Sequence, residues 1–203
     1  MPKIVDHDER RAHIADAATK VIIRVGFDKL TMREIATEAG YAHGAIARYF
    51  PHKQSLLTAA FLRLYTLAND RIHAGVEGVR GLQALERMCR EVLPFSPNGP
   101  AYAKVVIAFW DHASQDVDVR RIHHDNNMHW RELFRRFLEE AREDGELADH
   151  VVIDTAVNEI ASRNAGWQMI SVLMPDSAGD GRLNDGLAAL LTSLRRAPAP
   201  AAR

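Results

Sequence analysis

Apolar residues along this chain recur with the spacing of helices, and no segment alternates as a strand would. From about Asp8 to Val25 the stripe is Ile14, Ala17, Ala18, Val21, Ile22 and Val25. Gly26 stops that helix, and Phe27 and Leu30 are placed to plug a small core. Thr31 and Glu34 then have the T-x-x-E spacing of a capping box, so a second helix begins at Met32 with Ile35, Ala36 and Ala39 on its inner side. Gly40 supplies the left-handed backbone of a sharp turn, and a short third helix runs from about Ala42 to Arg48 with Ile46 and Tyr49 or Phe50 turned inward. Two short helices across a glycine turn are the grammar of a helix-turn-helix, whose second helix enters the DNA major groove.

The pattern continues in longer helices. Pro51 is permitted at a fresh start, and a fourth helix from about Lys53 to Ala74 carries Leu56, Leu57, Ala60, Phe61, Leu64 and Leu67. A fifth spans about Val79 to Leu93, followed by a PFSPNGP loop, and a sixth spans Ala101 to Ala113. Asp116 can cap a seventh that runs to about Asp144 and ends at Gly145. The eighth holds Asp154 near its start and Val157, Ile160, Ala161, Asn164, Trp167 and Gln168 on its stripe. Pro175 and the DSAGDG stretch form a loop, and Leu183 to Leu194 are the ninth helix. The expected architecture is all-α with nine helices. A three-helix unit occupies residues 1–53, a helical body residues 54–197, and a disordered tail residues 198–203; residues 1–6 are expected to fray.

Composition changes this picture little. The 203 residues, 47% apolar and 26% charged, suit a globular chain with a proper core. No apolar run reaches the roughly 18 residues of a membrane helix, and the charged start lacks a signal peptide's apolar stretch. A single cysteine, Cys89, excludes an internal disulfide, suits a reducing cytoplasm and reads as a buried small side chain rather than a sensor. The net charge of −1 does not advertise nucleic acid, but its distribution is uneven. Through Lys53 there are nine Lys and Arg against seven Asp and Glu, a balance of +2; the remainder has 17 against 20, a balance of −3. A basic head on an acidic body favours DNA.

The order GF-x-x-L-T-x-R-E-I-A-x-E-A-G, then G-x-I-x-x-YF-x-x-K-x-x-LL, over residues of about 8 to 62, resembles the DNA-binding domain of TetR-family transcriptional repressors. The segment Ala108-Phe109-Trp110, the Ile122-His123 region and the Trp130-to-Leu138 helix resemble the body of the BetI-like branch. The first resemblance implies DNA contacts from Thr31, Arg33, Ala42, His43, Gly44, Ala45, Arg48, Tyr49 and Lys53. Arginine suits bidentate recognition of guanine or phosphate, and lysine acts as a point charge. Ala42, Ala45 and Ala47 depart from the hydroxyl and tyrosine residues frequent in the family, which predicts fewer phosphate contacts and a shallower salt dependence.

Aromatic side chains with a few polar groups on apolar stripes describe a small-ligand pocket. Met88, Tyr102, Phe109, Trp110, Asn126, Trp130, Asn164, Trp167 and Gln168 are its candidate lining, and the BetI-like resemblance suggests a quaternary ammonium held by cation–π contact. Buried tryptophans are more often core than cage. The resemblance further implies a homodimer through the last two helices, exposing Val151, Val152, Leu187, Leu190 and Leu191, and a palindromic operator released on binding an effector. Metal ligation is not expected: His123, His124 and Asp125 are consecutive on a helix and diverge, and Asp70-x-x-His73 is half of a motif that needs a second. No cofactor or catalytic motif is present in the form of a phosphate loop, nucleophile elbow or H-E-x-x-H. The rival readings are a helical ligand-binding protein or enzyme that has lost DNA recognition, as the three alanines would allow, and a structural interaction module.

Overall fold

Local capping chemistry sets the first turns of the structure, a computed structural model that describes residues 7–95, 98–179 and 181–197, apart from the side chain of His43. Helix α1 is His7–Val25, α2 Met32–Ala39, α3 His43–Ala47, α4 Lys53–Val76 and α5 Gly81–Val92. Then follow α6 Gly99–Gln115, α7 Val117–Glu143, α8 Ile153–Leu173, α9 Pro175–Ala178 and α10 Arg182–Leu194. The described residues thus form ten helices rather than nine. The extra one is a single turn where a loop is expected: Pro175 begins it, its missing N–H costing nothing at a first helical position, and Gly179 closes it by donating to the Pro175 carbonyl at 3.1 Å. The expected tail, residues 198–203, and the expected frayed start, residues 1–6, lie outside the described residues.

The chain divides into two compact units, one of residues up to Leu67 together with 98–123, the other of the remaining residues. In the first unit, α1 contributes Ile14, Ala18, Val21 and Ile22 to a core completed by Ile35 and Ala36 of α2, Ile46 of α3, Phe50, Leu56 and Leu57 of α4, and Val105 and Phe109 of α6. Leu30 is buried with them, whereas Phe27 is half-buried beneath the Lys53 ammonium, whose Nζ lies 5.0 Å from the ring centroid. Asp116 caps α7 as its spacing predicts, accepting from the backbone N–H groups of Asp118 at 2.9 Å and Val119 at 3.1 Å. The hydrogen bond from Val119, chiefly, holds the Asp116 carboxyl below its ordinary range.

In the second unit, Leu85, Met88 and Cys89 of α5 pack with Phe134 and Phe137 of α7, Val157 and Ile160 of α8, and the leucines of α10. The α5 start has no side-chain cap of its own. Glu140 instead accepts from the Gly81 N–H at 3.0 Å and Glu146 from the Leu82 N–H at 2.9 Å, so two of its orphan donors are satisfied from α7 and the turn after it. Burial pushes the Cys89 thiol up to about 12, with the Glu86 carboxylate adding to the effect. Cys89 is therefore almost entirely protonated at pH 8, and iodoacetamide is expected to leave it unmodified in the folded protein and to alkylate it after urea unfolding. Rapid native-state labelling would contradict this.

The leucine stripe of α10 does not form the exposed pairing surface that the sequence suggests. Leu187, Leu190 and Leu191, with Val151, are buried within this one chain, so the stripe belongs to the chain's own core. Val152, at 63% exposure, remains outside. Gly186 on the neighbouring side of α10 faces the Trp167 indole so closely that a Cβ there would lie 2.8 Å from Cζ2. Gly186→Leu is expected to lose about 1–3 kcal/mol by overpacking, against a helix-propensity gain of only about 0.8 kcal/mol. Thermal unfolding followed by circular dichroism checks this; an unchanged or raised Tm would contradict it.

Candidate functional site

The helix-turn-helix is held by bonds that are nearly all local. The Thr31 hydroxyl accepts from the Glu34 N–H at 3.2 Å, and the Glu34 carboxylate accepts from the Thr31 backbone at 3.0 Å and from its hydroxyl at 2.9 Å. The capping box is complete. Gly40 ends α2 in the left-handed region, at φ 70 and ψ 28, and Tyr41 donates to the Ala36 carbonyl at 2.9 Å. A Cβ at Gly40 would meet no heavy atom within 4 Å, so the requirement there is one of backbone conformation alone. Ala42 precedes α3 with no side-chain cap, so the first N–H groups of α3 have no hydroxyl to accept from them, and Ala45 donates to the Ala42 carbonyl at 2.9 Å.

Of the residues assigned to DNA, Arg33, Ala42, Gly44, Arg48 and Thr31 are exposed, while Ala45, Tyr49 and Lys53 are half-buried. The His43 side chain lies outside the described part of the structure. Arg33 and Arg48 have no ion pair or hydrogen bond from their guanidinium groups to any described residue, in contrast with Arg24, which binds Glu38 at 2.9 Å, and Arg63, which binds Asp16 at 3.0 Å. Thr31 is already committed to Glu34. One supporting residue is not visible in the motif: Arg11 of α1 donates from Nη1 to the Tyr49 carbonyl at 2.8 Å and lies 4.5 Å over the Phe50 ring. It pins the chain where α3 ends. A contact across 38 positions has no local spacing to betray it.

The candidate ligand residues fall into separate settings. In the first unit Phe109 is fully buried, its ring parallel to that of Phe61 with centroids 3.7 Å apart. His123 lies edge-on to both at 6.2 Å, and Trp110 is half-buried with its ring 6.1 Å from His123. The Trp110 Nε1 is buried without a hydrogen-bond partner among the described residues. Phe61 and His123 thus join the aromatic group, although the sequence pattern marks the first as core and the second only as part of the BetI-like segment, not as pocket lining. Tyr102 does not join it and is 37% exposed beside His13 and Asp16.

In the second unit Met88 and Trp167 serve packing, the first in the core of α5 and the second against Gly186. Trp130 is half-buried and donates from Nε1 to Asn69 Oδ1 at 2.7 Å, and Gln168 donates from Nε2 to the Val92 carbonyl at 2.8 Å. Asn126 is half-buried on α7. Asn164 differs from these: it is buried, and its Nδ2 has no partner among the described residues. A buried donor left unpaired costs stability, so Asn164→Leu is expected to raise the unfolding free energy by about 1 kcal/mol. A loss of stability in urea titration would show instead that the amide is satisfied. Among the described residues no three His, Cys, Asp or Glu side chains converge as metal ligands would.

A capped helix-turn-helix presenting unpaired arginines, with helices making up the rest of the described residues, is the architecture of DNA-binding transcriptional regulators. Residues 14–60 match the bacterial regulatory proteins of the tetR family, and residues 81–196 match the C-terminal domain of BetI-type transcriptional repressors. The chain belongs to the TetR family, with a BetI-type C-terminal domain, a family that regulates transcription and is non-enzymatic.

Among curated relatives, the HTH-type transcriptional regulator PksA of Bacillus subtilis is 33% identical over 128 residues, 62% of each chain. The HTH-type transcriptional regulator BetI of Paraburkholderia phymatum is 28% identical over 131 residues, covering 62% of this chain and 65% of that one. The chain therefore spans less than two thirds of the length of these relatives. A transcriptional regulator from Saccharomonospora viridis, crystallised in complex with choline, shares the fold with a TM-score of 0.85 at 19% identity, covering 94% of this chain and 100% of that one. A TetR transcription regulator from Haloarcula marismortui does so with a TM-score of 0.80 at 18% identity, covering 93% and 100%.

Proposed function

We propose that this chain is a ligand-responsive repressor that binds a palindromic operator as a homodimer and leaves it when a small-molecule effector binds. The observation that carries the DNA part is the pair of uncommitted guanidinium groups of Arg33, in α2, and Arg48, at the end of α3, on either side of a turn fixed by Thr31, Glu34 and Gly40. Lys53 adds charge at the start of α4, where no acidic residue occupies the first turn. The alanines at 42, 45 and 47 remove hydroxyl and phenol contacts but leave this basic set intact.

The homodimer reading places the partner on the outer faces of α8 and α10. With Leu187, Leu190 and Leu191 turned inward, those faces offer Ala188, Ala189 and Thr192 on α10 and Met169 and Leu173 on α8, all exposed. Small side chains permit close helix approach, and the exposed methionine and leucine supply apolar area that a partner would cover. The protein is expected to act in the cytoplasm, where operator DNA lies; among the described residues no helix is long and apolar enough to cross a membrane.

For the effector, a quaternary ammonium is the first class to test. Trp110 and His123 are the half-buried members of the aromatic group packed on the Phe61–Phe109 core, and the S. viridis regulator was crystallised with choline. Sequence selection from a random DNA pool, followed by operator titration with and without choline, tests the reading. An enriched inverted repeat with half-sites about 34–36 Å apart, or a multiple of that, is expected. By linkage, the factor by which choline weakens operator binding must equal the factor by which operator weakens choline binding. Equal choline affinity with and without operator would exclude choline as the releasing effector. Enrichment of a lone half-site would exclude the dimeric mode.

A further inference from the structure

We infer that the first unit carries a second small-molecule site, separate from the aromatic group, which takes an amphiphile with one anionic head. It is a cleft of about 420 Å³, within the range of roughly 300–1,000 Å³ usual for small-ligand sites. Its apolar walls come from three helices: Ala17 and Ile23 of α1, Leu64 and Leu67 of α4, and Ala101 and Tyr102 of α6. His13, Asp16, Lys20 and Glu38 bring polar groups to the same cleft.

Those four polar groups differ in how far they are committed. Asp16 is answered by Arg63 at 3.0 Å, and Glu38 by Arg24 at 2.9 Å. The Nε2 of His13 donates to the Ala39 carbonyl at 3.1 Å, with the ring held edge-on to Tyr41. Lys20 is the exception. Its Nζ stands 3.9 Å from Glu38, at the outer limit of an ion pair, and its side chain is 69% exposed. Both acids already have an arginine, so a ligand cation would find no carboxylate to itself, whereas a ligand anion would find an ammonium with little to release. An aliphatic or aromatic body against the leucines and Tyr102, with a carboxylate, sulfonate or phosphate on Lys20, matches the apolar walls and the one loosely held charge of the cleft; Thr19 and Asn98 also line it, the former committed to the Ala15 carbonyl at 2.9 Å. The cleft also borders Glu38 of α2, so its occupant touches the helix that supports the recognition turn.

Isothermal titration of the full-length protein with octanoate, octylammonium and octanol, chains of equal length with different heads, tests this. Octanoate is expected to bind at least about tenfold more tightly than octylammonium or octanol. Lys20→Gln is expected to abolish that preference, and Lys20→Arg to retain it. The residue is exposed, so the variants keep the fold, as thermal melts check. Octylammonium binding as tightly as octanoate, or octanoate affinity within twofold of wild type in Lys20→Gln, would overturn the inference, the latter by placing octanoate elsewhere. Operator binding by wild type and Lys20→Gln is measured separately. Absence of any octanoate preference in wild type with intact operator binding defeats this site alone, and the converse defeats the repressor reading alone.

Discussion

Phe109→Ala is expected to lower the stability of the first unit by about 3–5 kcal/mol. The ring is fully buried, lies parallel to Phe61 with centroids 3.7 Å apart, and has Val105 and Ala113 beside it in the same core. Removing it takes away both the transfer free energy of the side chain and the stacking contact, and leaves a cavity that backbone held by α1, α4 and α6 cannot easily close. Urea unfolding followed by emission in a Trp130→Phe, Trp167→Phe background, where Trp110 is the sole emitter, reads the loss in the unit concerned. Phe109→Leu should restore most of it, since it refills most of the volume. Because the same unit contains the helix-turn-helix, Phe109→Ala should also weaken operator binding, an effect that lower temperature would reverse. A cost below about 1 kcal/mol would mean that Phe109 lines an open pocket and not a core.

Arg48→Ala is expected to weaken operator binding by about 1–3 kcal/mol, or roughly five- to 150-fold, with no loss of thermal stability. Two contacts are open to this guanidinium, and they predict different signatures. If it meets phosphate, affinity falls by a similar factor on every sequence, and the salt dependence becomes shallower by about one unit of slope. If it meets a guanine edge, specificity relaxes at one position of the repeat while the slope is nearly kept. Arg33→Ala should show one or other signature, because its side chain too is exposed and uncommitted. Arg24→Ala is the control: its charge is spent on Glu38, so its removal should change operator binding little.

What could be read from the sequence divides along the range of the interactions. Thr31, Glu34, Gly40 and Asp116 act within four residues of themselves, and spacing alone places each of them as the structure does. The inner stripe of α1 is likewise local, since helical periodicity selects one face. The last helix shows where periodicity stops. A leucine stripe at 187, 190 and 191 reads the same whether it meets the chain's own core or a second copy, and in this protein it meets the core. Trp167 is similar: an aromatic on an inner stripe suits a pocket or a packed helix, and only the position of Gly186 shows the second. Arg11, which secures the end of the recognition helix from α1, depends on tertiary placement that no short pattern encodes. The single turn of α9 needed only Pro175 at a helix start, a signal that is present but is equally the mark of a loop.

Sequence-selective DNA binding by the Arg33 and Arg48 face is the property on which the regulatory role depends. Fluorescence anisotropy with the DNA enriched from a random pool, at two salt concentrations, for wild type and Arg48→Ala, tests it most directly. Wild type is expected to bind selectively, with affinity that falls as salt rises, and the variant to show a marked loss at either concentration. Equal affinity of folded wild type and Arg48→Ala, or no enrichment even at low salt, would contradict it and favour a ligand-binding protein that no longer reads DNA.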